Sequence, residues 1–493
     1  MISSNTLSKR DLLVLGSIFL LEASIVVLLQ GLHIKGEESF DAFLPRKSGI
    51  VFLCASGVFL VSGMIFIRSY LAHRRSPSRS FRLIVAMNLI TVVLTVVIGE
   101  IAVRALVRNY YGYEAIGTLV LKPKNWAAIR NYYQKLIRKQ RSDVSFYVED
   151  PLLGWTVGPG RLDAEGPYSS SAEGIRAPDR NSSFPRDVGK LDIALVGDSF
   201  TFGEEVPYEE SYGYHLEQML GAPFRVLNFG VPGYGLSQMF LRYNKDVRAW
   251  NPKISIFGFI SGDLRRTLWA YPFLGSPRWG NPYSKPRFIL REEGLTNINT
   301  PTLPSESIFS VESISELPFI QYQKEYDPSE WERHFYHRSY LIRLLLSWPD
   351  SSHDERDETF EETLRSINAS LLQAFVIAAK QAGSIPLLLY LPVEDELNGP
   401  SRQPLAKQVL NQTGLAYVDP TPCLLEINPS DRFAPGNGHY ASQGNRAIAK
   451  CLLPVIQRVL KEHAADERTV EATTSAHSTG GTFSQRQFDK SSF

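Results

Sequence analysis

Leu195-Val196-Gly197-Asp198-Ser199-Phe200-Thr201-Phe202-Gly203 joins a short apolar run to a tight Gly-Asp-Ser turn. The run Ile193–Val196 is rich in branched side chains and is closed by glycine, the pattern of a strand buried on both faces. A turn at its end sets the Ser199 hydroxyl at the carboxyl edge of a sheet, where backbone N–H groups can face an oxyanion. The spacing is not that of a G-x-S-x-G elbow. A helix N-cap uses the same residues, so the flanking sequence has to separate the two readings.

Working outward, Arg225–Phe229, Ile254–Phe259, Ile385–Leu391 and Leu415–Val418 repeat the buried-strand pattern and end in Gly, Pro or Asp. Between them Tyr208–Leu220, Ser237–Trp250, Phe360–Ala382 and Ser442–Lys461 carry helical periodicity. This alternation predicts an α/β fold with a parallel sheet covered on both faces, and a site on loops at the carboxyl ends of the strands. Residues 265–358 break the alternation. They are rich in Pro, Trp, Tyr and Arg and are expected to form an insertion or lid beside the site. From 464 to 493 the chain is Ser/Thr/Gly-rich with few apolar residues, the composition of a disordered tail. No internal repeat is present.

At 493 residues the chain is too long for one ordinary core, so two or three structural units are expected. A net charge of +1, with 21% charged residues and no dense Lys/Arg tract, argues against a nucleic-acid partner. No Cys/His spacing points to a metal, and nothing calls for a cofactor. Of the three cysteines, Cys54 lies in an apolar stretch as a small hydrophobe. Cys423 and Cys451 form either a disulfide, if that part faces an oxidising compartment, or two buried thiols.

The N-terminal 110 residues form a separate unit. Three apolar stretches, about 12–32, 50–67 and 83–103, each approach the ~20 residues that a helix needs to cross ~30 Å of hydrocarbon. The first is long, has no small-residue cleavage site and is followed by two more, so it is not a cleavable signal peptide. Arg68, Arg74, Arg75, Arg79 and Arg82 place the loop between the second and third stretches in the cytoplasm, and Lys9 and Arg10 place the N-terminus there too. The chain after Arg104 is then extracytoplasmic (periplasmic), although Arg104, Arg108, Lys122 and Lys124 pull the other way. Glu100 lies four residues before Arg104, a spacing that predicts a local ion pair; Glu22 has no such partner. Residues 111–146 read as a linker, and 147–463 as the α/β domain.

Val196-Gly197-Asp198-Ser199 with Gly203, then Asn228-Phe229-Gly230-Val231-Pro232-Gly233, then Gly438-His439 followed by Gly444-Asn445, resemble the SGNH/GDSL hydrolase superfamily. The resemblance covers roughly 150–460. Asp150-Pro151-Leu152-Leu153-Gly154-Trp155 also resembles the lead-in of membrane-anchored members. It implies a three-layer, flavodoxin-like domain with Ser199 as nucleophile and His439 as base. The backbone N–H groups of Ser199 and Gly233 would be oxyanion donors. Asp198, Asn228, Asp263 and Arg265 are the residues expected to face substrate. A serine needs such a base to attack an ester at neutral pH, and of nine histidines only His439 lies in a loop just before the last helix.

Two positions depart from the family pattern. Gly258-Phe259-Ile260-Ser261-Gly262-Asp263 puts Gly262 where the family has an oxyanion-donating Asn, and losing one such donor costs about a hundred-fold or more in rate. Asp263, Arg265 and Arg266 are the neighbours able to reshape the hole. The orienting acid expected two or three residues before the histidine is replaced by Gly436 and Asn437. Asn437 can hold an imidazole by hydrogen bonding but stabilises imidazolium less than a carboxylate does, and Asp431 is a substitute acid from the same loop.

The resemblance implies an extracytoplasmic ester hydrolase or O-acyltransferase acting on cell-envelope carbohydrate, with Trp269, Tyr271, Trp279 and Tyr283 of the insertion suited to stacking on sugars. The alternative is a degenerate domain that binds glycan, or a partner in polysaccharide export machinery, without catalysis. A transporter is disfavoured by few spans with sparse polar residues.

Overall fold

The computed structural model describes residues 79–142, 145–164, 166–187, 189–277, 279–347, 358–399, 403–436 and 438–478. The apolar stretches 12–32 and 50–67, and Asn437, therefore lie outside the described residues. The chain divides into two compact units: 1–134 with 312–315 and 326–355, and 135–311 with 316–325 and 356–493.

The second unit is built on a five-stranded, all-parallel sheet. Its strands are β1 (Leu191–Gly197), β2 (Phe224–Asn228), β3 (Ile254–Phe259), β4 (Ile385–Tyr390) and β5 (Tyr417–Val418). Their spatial order is β5-β4-β3-β1-β2, the flavodoxin-like arrangement. Ile254 of β3 pairs with Ile193 on one side and Ile385 on the other. The strands are apolar on both faces because both are covered. Ile193, Leu195, Val226, Ile254 and Ile256 pack with Tyr212, Leu216, Ile448 and Leu452 from the helices Tyr212–Leu220 and Ser442–Ser478. Ala194, Val196, Leu227, Phe257 and Phe259 pack on the opposite face with Met239, Leu364, Leu371 and Phe375 from Leu236–Arg242 and Glu358–Gln381. Alternate residues of one strand thus feed two separate cores, which makes three layers.

The order reverses at β1. The chain leaves β1 for β2 on one side and then returns to build β3, β4 and β5 on the other. Open α/β sheets place their ligand crevice at such a switch point, outside the carboxyl ends of the strands. The Gly197-Asp198-Ser199 turn occupies that end of β1.

Cys423, in the short helix Thr421–Leu425, is disulfide-bonded to Cys451 of the last helix, with a Cα–Cα separation of 6.1 Å. Of the two alternatives the sequence left open, the structure has the bridge. It closes a 28-residue segment that contains His439. The last helix runs to Ser478, so the tail expected from 464 begins as helix: no Pro or Gly stops the chain there.

The first unit contains the helix Arg79–Leu106, a small antiparallel sheet (Arg108–Tyr110, Tyr113–Ile116, Leu119–Val120) and a short helix Tyr340–Leu346. Within the first helix, Leu89–Leu106 is long and apolar enough to cross a membrane by length and composition. It is the one such helix among the described residues. Glu100 pairs with Arg104 at 2.6 Å, as the spacing predicts. The stretch 111–146 is not a plain linker. It holds two of those strands and the helix Trp126–Ser142, because Tyr113, Ala115, Ile129 and Tyr133 have apolar partners to bury against. The insertion is likewise not one body: 265–311 and 316–325 belong to the second unit, and 326–347 to the first.

Candidate active site

Asp198 leaves β1 with extended backbone (φ −96°, ψ −151°), and its carboxylate accepts the Phe200 N–H at 2.9 Å, capping the single helical turn Ser199–Phe202. The N-cap reading of Gly-Asp-Ser holds, with Asp198 as the cap, and Ser199 is the first residue inside the turn, at the carboxyl end of β1. Gly197 cannot be replaced here. A Cβ on it would lie 2.0 Å from Thr201 Oγ1 and 2.5 Å from the Gly258 carbonyl oxygen. Behind the turn, Asn228 donates from Nδ2 to the Thr201 carbonyl at 2.7 Å and accepts the Gly230 N–H at 2.9 Å. Tyr212 donates its hydroxyl to Thr201 Oγ1 at 3.1 Å.

His439 reaches this turn from a loop 240 residues away in sequence, with its Nε2 2.8 Å from Ser199 Oγ. That loop is tied by its backbone. Ala434 N–H donates to the His439 carbonyl at 2.7 Å, and Ala441 N–H to the Arg432 carbonyl at 3.0 Å. Tyr440, next in sequence, is buried and donates its hydroxyl to the Pro392 carbonyl at 2.6 Å. Asn445 accepts the Tyr212 N–H and donates to the Tyr440 carbonyl, linking the loop to the helix Tyr212–Leu220. The imidazole packs on Phe200, ring centroids 4.8 Å apart. Burial is the main influence on this ring and holds its pKa below the ordinary histidine value. A neutral imidazole that accepts from Ser199 is the form a general base requires.

The far nitrogen differs from a Ser-His-Asp arrangement. His439 Nδ1 is buried and has no hydrogen-bond partner among the described residues. Asp431, the substitute acid, does not supply one: its carboxylate accepts from Ser430 Oγ at 3.1 Å and Asn428 Nδ2 at 3.4 Å. The 3-10 turn Pro429–Asp431 directs its side chain into local bonds instead. A carboxylate does approach the histidine, but from the other side. Glu204 Oε2 lies 3.5 Å from Nε2, and its side chain remains 31% exposed. Burial first, then the charges of Asp198 and Glu205, push its carboxyl up to about 7. The sequence reading missed Glu204. The signal was an acid just after Gly203, whose left-handed conformation (φ 81°) ends the nucleophile turn.

Under the turn lies a buried charged cluster. Arg266 Nη1 is 2.6 Å from Asp263 Oδ1 and 3.3 Å from Asp198 Oδ2, and both carboxylates are fully buried. Asp263 also accepts the Ile260 N–H at 3.0 Å. Burial, and then the negative charge of Asp198, raise the Asp263 carboxyl well above the usual range. Lys285, also fully buried, donates to the Arg266 carbonyl at 2.6 Å.

Several expected site residues thus have other work. Asp198, Asn228 and Asp263 are buried and spend their polar atoms on partners inside the protein. Arg265 is exposed and pairs with Glu361 at 3.2 Å. Gly262 is the second residue of the short helix Ser261–Arg266. A Cβ there would lie 3.2 Å from Ile260 Cδ1 and 3.7 Å from Arg266 Nη2. Gly233 (φ +83°) has Trp279 against it, close enough that a Cβ would come within 2.7 Å of that ring. Trp279 is 38% exposed, whereas Tyr271 and Tyr283 are buried.

No protein-family model and no curated protein matches the chain. Solved structures with some likeness include a member of the lipolytic protein G-D-S-L family from Veillonella parvula DSM 2008, at 13% identity, covering 54% of this chain and 99% of that one, with a TM-score of 0.28. TesA has 12% identity, 54% and 99% coverage and a TM-score of 0.29. A catalytic mutant of Axe2, an acetylxylan esterase from Geobacillus stearothermophilus, has 15% identity, 55% and 95% coverage and a TM-score of 0.29. Likeness at this level says nothing of substrate.

Proposed function

We propose that the protein is a membrane-anchored SGNH-type serine ester hydrolase or O-acyltransferase, acting outside the cytoplasm on carbohydrate esters of the cell envelope. The observation that carries the enzymatic part is the 2.8 Å approach of His439 Nε2 to Ser199 Oγ at the topological switch point of the sheet. Ser199 Oγ attacks the ester carbonyl while its proton passes to Nε2. The tetrahedral oxyanion collapses, the C–O bond to the sugar breaks, and the sugar oxygen takes the proton from Nε2. Water, or a second hydroxyl, then repeats the sequence on the acyl-serine.

Two charged groups support this chemistry where the family pattern is altered. Arg266 lies near the position of the missing Asn, with its charge shared between the carboxylates of Asp198 and Asp263, and we assign it to the oxyanion side. Glu204, when ionised, favours the imidazolium that forms at Nε2. The sugar part of the proposal is supported by Trp279, a half-exposed aromatic face beside Gly233. The extracytoplasmic part is supported by the Cys423–Cys451 bridge, since disulfides persist in oxidising compartments.

A second reading, a binding domain without catalysis, is favoured by one observation: His439 Nδ1 has no partner among the described residues. The purified full-length protein in detergent, incubated with O-acetylated envelope polysaccharide, separates the two. Release or transfer of acetyl that disappears in Ser199→Ala supports the enzyme. Unchanged acetyl content alongside saturable polysaccharide binding supports the binder.

A further inference from the structure

In the first unit, the carboxylate of Glu100 does more than pair with Arg104. It accepts Ser339 Oγ–H at 2.8 Å and the N–H groups of Tyr340 and Leu341 at 2.9 Å each. Arg104 in turn donates from Nη2 to the Arg338 carbonyl at 3.1 Å and lies over the Tyr340 ring, 4.9 Å from its centroid. The helix Tyr340–Leu346 is thereby bolted to the last turns of the helix Arg79–Leu106. Its inner face is filled: Leu344 clusters with Val103 and Leu121, and Leu341 lies against Gly99.

The height of that bolt along the long helix is fixed by its geometry. Counted from the start of the apolar run at Leu83, a rise of 1.5 Å per residue puts Glu100 about 26 Å and Arg104 about 32 Å along the axis. A hydrocarbon layer is about 30 Å thick. If the helix spans, the bolted segment sits at the far boundary of the hydrocarbon.

The outer face of the same segment is apolar and exposed among the described residues. Ile342, Leu345 and Leu346 are 37%, 40% and 50% exposed, and Phe335 is 83% exposed. Ile342, Leu345 and Leu346 follow helical spacing and so form one stripe. The long helix to which the segment is bolted is also apolar and exposed: Val93, Ile98 and Ile101 are 60%, 42% and 60% exposed. Around it stand Trp331, Tyr336 and Tyr340 and the exposed Arg104, Arg333 and Arg338, with Glu332 as the opposing charge. Aromatic rings and arginines beside an apolar stripe are the composition of an element lying in a membrane interface.

We infer that Trp331–Leu346 is an interfacial membrane element, its Phe335 and Ile342/Leu345/Leu346 face seated in the boundary between lipid headgroups and acyl chains. The partner is a lipid surface. The inference rests on the membrane reading of Arg79–Leu106, and it goes beyond that reading because a spanning helix alone requires no second contact with lipid.

The test uses the full-length protein in a Cys54→Ser background, reconstituted in phosphatidylcholine/phosphatidylglycerol vesicles. An environment-sensitive fluorophore is attached in turn at Phe335→Cys, Leu345→Cys, Val93→Cys and Lys190→Cys. Labels at 335 and 345 are expected to emit at shorter wavelength than the label at 190, and to lose more than half their emission to lipids carrying a shallow quencher. The label at 93 should respond most to a deep quencher. Labels at 335 and 345 that behave like 190, with 93 still quenched, overturn the inference and leave the membrane helix standing. Loss of quenching at 93 as well overturns both. Shielding at 335 and 345 without lipid quenching points to a protein partner and also overturns the inference.

Discussion

Around Ser199 each polar group that shapes the turn has a partner. Asp198 caps the turn, Asn228 braces its carbonyl, and Tyr212 holds Thr201. Across the 2.8 Å contact, the 432–441 loop holds His439 by its backbone and by packing on Phe200, but leaves Nδ1 with no partner among the described residues. The nucleophile side is over-determined and the base side is not. Among the described residues the carboxylate nearest the ring is that of Glu204, 3.5 Å from Nε2, and in the proposed mechanism it is this group that steadies the imidazolium. In the proposed mechanism a carboxylate on that side sits next to the reacting atoms, so its ionisation state should enter the rate directly.

The comparison breaks most simply at the base. His439→Ala should lower ester turnover by about a thousand-fold or more, with partial recovery on adding imidazole, since the nucleophile turn stands without it. A smaller loss would mean that another group accepts the serine proton. Next comes the cluster under the turn. Arg266→Ala removes the cation shared by two buried carboxylates and the charge proposed for the oxyanion side. A loss of about a hundred-fold in kcat is expected, with KM little changed. An equal rise in KM would move Arg266 to substrate binding.

Glu204 tests the unequal sides of the ring. Its carboxyl is pushed up to about 7, so it is neutral below that pH and ionised above. His439 titrates below the ordinary histidine value. The wild-type rate should therefore rise with pH in two steps, first as His439 loses its proton and again as Glu204 ionises near 7. Glu204→Gln should remove the upper step and cost about ten-fold at pH 8. The stability sign is also fixed. Because the folded state holds the Glu204 proton more tightly, its contribution to stability is present below the unfolded pKa of about 4.5 and is lost as pH rises through about 7. The variant should flatten that slope in denaturant midpoints measured from pH 4.5 to 7.5. The smallest effect is expected at Asp431, which bonds within its own turn. Asp431→Asn should stay within about two-fold of wild type in kcat/KM, and a large loss would mean that this carboxylate reaches Nδ1 during turnover.

What the sequence made legible follows from what is local. The five strands announced themselves as short branched runs because both faces of the sheet are covered, and the turn after Leu195 as glycine and aspartate where chain direction changes. His439 was found by its place before the last helix. The motif could not say which polar residues spend themselves on the fold. Asn228 and Asp263 looked like substrate contacts, yet each is consumed by backbone groups. Glu204 was missed because its approach to Nε2 joins residues 235 positions apart in sequence, which no local pattern records. Tyr271 and Tyr283 looked available for sugars and are core, while Trp279 keeps an exposed face.

The central claim is that Ser199 is a nucleophile activated by His439. Treating the full-length protein with a fluorophosphonate probe across pH 6 to 9 tests it directly. The account predicts covalent labelling at Ser199 that rises with pH, is absent in Ser199→Ala and is strongly slowed in His439→Ala. A folded wild-type protein that takes no label at any of these pH values would contradict it.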